Sequence, residues 1–157
     1  MTASARYLSQ ALDWLTKAIP GWRLHGHLVL AHMKQAQGDG DGARQAMETA
    51  RQLAIESDTE LDDVLVEAHT ARLSLAQGDL GAALRWAQAR RASAVSAAGS
   101  PAKDAEALIR SELMIEIERA MLARVYVAND QAGEALTILK PLLEAAAQAR
   151  TLGLLKT

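Results

Sequence analysis

Helix-breaking residues recur along this chain with the same small residues at fixed distances on either side, and that recurrence constrains the fold most. Gly38-Asp39-Gly40-Asp41-Gly42, Gly78-Asp79-Leu80-Gly81 and Asn129-Asp130-Gln131 each separate two stretches whose apolar residues repeat at helical spacing. Alignment on Gly38, Gly78 and Asp130 places Ala31, Ala71 and Ala123 seven residues before the turn, and Ala43, Ala83 and Ala135 five residues after it. A side chain without bulk at both points lets two antiparallel helices cross closely, as tetratricopeptide-type hairpins require. The turns lie 40 and then 52 residues apart, wider than the roughly 34 of the standard repeat, so the helices or their connectors are longer.

Composition supports helices and little else. Alanine supplies about one residue in five, proline is confined to Pro20, Pro101 and Pro141, and there are five aromatic residues and no Phe. Ala and Leu lose little side-chain entropy in a helix, so an all-α protein is expected, a tetratricopeptide-like α-solenoid of about seven helices in stacked antiparallel hairpins. With so few rings, its core has to be built from close helix contacts. The 157 residues suit one globular domain. A formal net charge of -2 and a pI near 6.1 leave no basic surplus for a phosphate backbone or an anionic membrane. No cysteine is present, which suits a reducing compartment. Without a signal-like N-terminus or a long apolar run, the expected location is the cytoplasm.

A first helix is expected over Ser4–Ile19, ending at Pro20-Gly21, followed by helices over Trp22–Gln37 and from Asp41 or Gly42 to Glu56. Ser57-Asp58-Thr59-Glu60 separates that pair from helices over Leu61–Gln77 and Leu80–Ala97. Gly99-Ser100-Pro101 forces a loop. The last two helices are expected over Lys103–Ala128 and Ala132–Arg150, with a bend at Pro141. This gives a single helical-repeat domain over 1–157 with hairpins at about 22–56, 61–97 and 103–150.

Within this frame, Ala71-Arg72-Leu73-Ser74-Leu75-Ala76-Gln77-Gly78-Asp79-Leu80 and Ala82-Ala83-Leu84-Arg85-Trp86-Ala87 resemble the helical-repeat region of the large ATP-binding LuxR-type transcription regulators, the MalT-like group. Leu122-Ala123-Arg124-Val125-Tyr126-Val127-Ala128, with Glu134-Ala135-Leu136 and the ending Arg150, Thr151 and Gly153, is similar to that group's next repeat. The resemblance is best from Val66 to Gly153. It implies a central superhelix that receives an effector or protein partner, between a nucleotide-binding module and a DNA-binding helix-turn-helix. Neither a G-x-x-x-x-G-K-[ST] phosphate loop nor a basic helix-turn-helix occurs in this chain. The segment is therefore expected to be a piece of a longer regulator, with Arg150 to Thr157 opening a further repeat and no nucleic-acid contact of its own. The alternative is a free-standing tetratricopeptide-type scaffold that binds protein partners and has no role in transcription.

No residue set points to catalysis or to a cofactor. His25, His27 and His32 lie close in sequence and His69 follows one hairpin later, but neither H-E-x-x-H nor E-x-x-H occurs, so no metal site is expected. Glu60, Asp62 and Asp63 open a helix, where the macrodipole favours negative charge. Carboxylates also cluster at Glu112, Glu116 and Glu118; Glu112 and Glu116, at i and i+4 on one face, are expected to form solvated ion pairs with Arg110 and Arg119. Met33, Met47, Met114 and Met121 occupy apolar helix positions and read as core.

One pattern suggests binding. The position after the first small residue of each hairpin, expected to face the concave groove, holds His32, Arg72 and Arg124. Such a cationic ladder suits a carboxylate, a phosphate or an acidic peptide. His25 and Gln35 in the first hairpin, Leu65, Ala68 and Leu75 in the second, and Ile117, Ala120 and Val127 in the third complete the expected wall. The competing expectation pairs Arg72 and Arg124 with Glu67, Glu112 or Glu116. An oligosaccharide is not expected, because sugar sites stack aromatic rings and this wall offers only Tyr126 and Trp22.

Overall fold

The computed structural model describes residues 22–97 and 105–154, with Tyr7, Gln10 and Trp14; at 92–97, 105–114, 145 and 148–154 it describes the backbone only. The described residues form six α-helices: α1 (Arg23–Ala36), α2 (Gly40–Ser57), α3 (Glu60–Ala76), α4 (Leu80–Ala97), α5 (Ala105–Ala128) and α6 (Ala132–Leu154). They agree with six of the seven expected helices to within a few residues. The expected helix Ser4–Ile19 lies outside the described residues except for Tyr7, Gln10 and Trp14, which are helical, and the loop at Gly99-Ser100-Pro101 lies wholly outside them. Two compact units divide the chain, Met1–Gly78 and Asp79–Thr157. The hairpins α1–α2 and α5–α6 each lie within one unit, while the boundary falls in the Gly78-Asp79 turn.

In the first unit α1 and α2 pack along their length, and α3 lies against both. The inward stripe of α2 is Ala43, Ala46, Met47, Ala50 and Ala54, nearly all of it alanine, so the neighbouring backbone comes close. Facing two helices at once, α3 buries a wider arc: Val64, Leu65, Val66, Ala68, Ala71 and Leu73. In the second unit α5 packs against α4 and α6. Ala123, Tyr126 and Ala135 form one core cluster there, with Leu122, Ile138 and Leu139 against it. All six alanines of the repeated template are buried, none more than 3% exposed.

The turns reproduce the sequence alignment in their dihedral angles. Gly38 and Gly78 have φ of +81° and +82°, and Asp130, aligned with them, has φ +56°. Left-handed backbone carries no steric cost for glycine and is tolerated by a short polar residue such as Asp. The amides of Asp39 and Gln131 reach back to the carbonyls of Lys34 (2.9 Å) and Tyr126 (2.8 Å), closing the preceding helix in a Schellman-type cap. Asp39 and Asp79 then cap the following helices, accepting from Gly42 N and Ala82 N at 2.8 Å each. Lys34 also donates to Asp39 at 2.8 Å, and that bond with the Gly42 amide holds the Asp39 carboxyl below its ordinary value. Glu60, Asp62 and Asp63 occupy the first turn of α3, as the dipole argument expected.

One boundary differs from expectation. The last helix continues past Arg150 to Leu154, since a single Gly153 costs about 1 kcal/mol and does not by itself end a helix. Pro141 lies inside α6, as expected; its missing N–H leaves one carbonyl of the preceding turn without its helical donor.

His27, half-buried on α1, has a buried Nδ1 without a hydrogen-bond partner among the described residues. Burial, and then the charge of Arg23, lower its pKa from the ordinary 6.5. The unfolded chain therefore takes up this proton before the folded chain does as the pH falls. The contribution to stability is complete above pH about 6.5 and is lost below it. Unfolding midpoints measured between pH 8 and 5 are expected to fall on the acid side, with a shallower decline in His27→Leu; parallel profiles would contradict this assignment. For the template, Ala31→Leu is expected to destabilise the chain by about 1–3 kcal/mol through overpacking. The same change at exposed Ala36 is expected to stay within about 0.5 kcal/mol, as measured by urea denaturation.

Candidate functional site

The strongest polar seam in the first unit joins α1 to α3. His32 follows Ala31 on α1, and its Nε2 lies 2.8 Å from Nδ1 of His69 on α3, with ring centroids 5.0 Å apart and planes tilted by 44°. One turn further on, Gln35 donates to the Ala76 carbonyl at 3.3 Å and accepts from Gln77 Nε2 at 3.0 Å. Arg44 Nη1 donates to Gln77 Oε1 at 3.4 Å and pairs with Asp41 through its other terminal nitrogen. Side chains of α1 and α2 thus clasp the end of α3, which fixes the register of the two like helices.

This geometry redistributes the expected groove residues. Gln35 is half-buried and its amide is engaged in the clasp. His25 is exposed, with its ring centroid 6.0 Å from that of Trp22. Although His25 and His32 share a helix face in sequence, the imidazole that meets His32 comes from α3. Leu65 and Ala68 were expected in the wall, but they are 8% and 3% exposed and belong to the core. They are buried because α3 packs against two helices rather than one. Leu75 and Ile117 are half-buried, Ala120 is exposed and Val127 is 58% exposed.

Arg72 on α3 and Arg124 on α5 are both exposed, and neither forms an ion pair among the described residues. The expected pairing with Glu67 or Glu116 is therefore not made, and the side chain of Glu112 lies outside the described residues. The acidic cluster of α5 instead supplies Glu118, which pairs with Arg90 of α4 at 2.9 Å, each side chain about one-fifth exposed. Its neighbour Arg91 donates to the Tyr126 hydroxyl at 2.9 Å, with its guanidinium 5.8 Å from the ring centroid. That hydrogen bond raises the Arg91 pKa. Tyr126 is 7% exposed and serves the core, which removes it as a ring for sugar stacking.

His69 was noted in sequence but not as the partner of His32. The repeat spacing carries that signal: with turns 40 residues apart, a separation of 37 places the two rings less than one helical turn out of register on like helices. Among the described residues, no group of three or more His, Cys, Asp or Glu is arranged to hold a metal ion, and no helix is long and apolar enough to cross a membrane.

No curated protein and no solved structure gives a significant match to this chain. A family model described as the MalT-like TPR region matches residues 1–156. The repeated turns, the buried alanine template and this near-complete match agree, and the chain belongs to the family of MalT-like TPR regions.

Proposed function

We propose that this chain is a non-catalytic sensing and interaction module of a LuxR-type, MalT-like transcriptional regulator, working in the cytoplasm and reading an effector or protein partner on the first helices of its repeats. The observation that carries the reading is the pair of exposed guanidiniums at one template position, Arg72 after Ala71 and Arg124 after Ala123, neither neutralised by a carboxylate among the described residues. An arginine left unpaired in water keeps its planar fork of donors available for a carboxylate or phosphate. The ligand is accordingly an anion, either a small effector or an acidic segment of a protein.

Val127, three residues after Arg124 and mostly exposed, adds an apolar contact beside the second guanidinium. His25 offers an exposed imidazole in the first repeat, while His32 and Gln35 chiefly hold the repeats in register. A ligand that prefers one conformation of the repeat it binds shifts the equilibrium of the attached modules towards the state that has it. The match to the MalT-like TPR region over residues 1–156 supports this reading over the free-standing scaffold.

A thermal-shift screen against small anions, nucleotides and acidic peptides tests the proposal. A stabilising anion is expected, with its affinity at least about tenfold weaker when the arginine of the repeat it occupies is changed to alanine and lost in Arg72→Ala/Arg124→Ala at unchanged helicity. Full affinity in the double variant would contradict the assignment.

A further inference from the structure

The outer side of α6 carries an apolar seam that the repeat core does not use. This helix packs against α5 and against no other described helix, and it meets that neighbour with Ala135, Ile138 and Leu139. Leu136 and Leu143 lie on a different side and are 65% and 64% exposed. Seven residues apart, they stand one above the other after two turns, and exposed Ala132, Lys140 and Ala147 share their stripe. A single exposed leucine is ordinary on a protein surface. Two in heptad register, with alanine beyond each, form the kind of seam along which helices pair.

Charge selects the occupant. Lys140 and Glu144 flank the leucines on one edge of the helix, mostly exposed and 4.0 Å apart within the chain. In an antiparallel pair of identical helices related by a two-fold axis, each edge meets its own copy. With that axis level with Leu142, Lys140 stands opposite the partner's Glu144, and symmetry repeats the contact on the other side of the axis. The same register matches side chains by size. Leu143 falls beside the axis, next to the partner's Leu143, and Leu136 comes within one residue of the partner's Ala147, so a large side chain meets a small one at each end. The seam is complementary to itself in charge and in size.

We propose that the outer face of α6 is a docking surface for a second copy of this chain, the two α6 helices pairing antiparallel. The stretch from Ala132 to Ala147 is about 24 Å long. One helix face of that length buries less than the roughly 800 Å² per partner of a stable complex, so the dimer is a weak one that forms and separates readily. The surface is distinct from the guanidiniums of Arg72 and Arg124, and either proposal stands without the other.

Sedimentation velocity of the full chain at concentrations from about 5 to about 500 µM tests this. A monomer–dimer equilibrium is expected, and it is expected to be lost in Leu143→Glu, which sets two carboxylates beside the axis. Lys140→Glu and Glu144→Lys each bring like charges face to face twice and are expected to weaken the dimer at least about tenfold, while the exchange Lys140→Glu/Glu144→Lys restores it. All three side chains are exposed, so helicity by circular dichroism is expected to stay unchanged. Should Leu143→Glu lose helix, the rescue of the single charge reversals by their exchange carries the test alone. A wild-type chain monomeric at about 500 µM, which would leave the seam to a partner of different sequence, overturns the proposal. So does growth beyond the dimer, a dimer indifferent to Leu143→Glu, or a double exchange no tighter than the single reversals.

Discussion

The close crossing of helices at paired alanines is the constraint on which the rest of the molecule depends. A hairpin with bulk at those points would be forced apart, and a chain with five aromatic residues has few large side chains to fill the gap. Burial of Ala31 with Ala43 in the first unit, and of Ala123 with Ala135 in the second, therefore sets how near the backbones come. Everything else follows at that separation. The turn residues are those that reverse the chain within a few positions: glycine twice and Asp130 once in the left-handed region, each preceded by a helix end whose carbonyls are satisfied by the turn. Dispersion across many short contacts replaces the large buried area that rings would provide.

Polar groups then assign register. Between α1 and α3 the bonds run from side chain to side chain and from side chain to backbone through His32, His69, Gln35 and Gln77. In the second unit the equivalent work is done by Arg90 with Glu118 and by Arg91 with Tyr126. The two solutions differ in chemistry. The first uses imidazoles and side-chain amides, and the second uses a partly buried ion pair whose disruption would strand a charge. Arg72 and Arg124 stand outside both sets, and that separation of structural from available cations supports a binding role for them.

Much of the fold was legible in the sequence because its determinants are local. Turn chemistry, alanine spacing and helical periodicity act within one hairpin, and the three turns aligned on Gly38, Gly78 and Asp130 each hold a left-handed residue at the aligned position. Burial of Leu65 and Ala68 was not legible, because it depends on α3 meeting two helices, a property of three elements together. The partner of His32 was obscured for a similar reason. Reading along one helix points to His25, whereas stacking of like helices brings His69. Pairing of Glu118 with Arg90 likewise crosses between helices, and the i, i+4 rule applied along α5 alone does not reach it. Of the candidate site, Arg72, Arg124 and Val127 are exposed, and Gln35 is engaged in packing because its amide meets the end of α3.

The alanine crossings are then the most stable parts of the chain, with the polar seams and helix ends opening before them. Native-state hydrogen exchange, read amide by amide, measures this directly. The slowest exchange is predicted in the turns of helix around Ala31, Ala43 and Ala46 in the first unit and around Ala123 and Tyr126 in the second, with faster exchange towards the C-terminal half of α6. Slowest exchange in α6 beyond Pro141, or protection spread evenly along all six helices, would contradict the claim that close contact at small residues holds the repeats together.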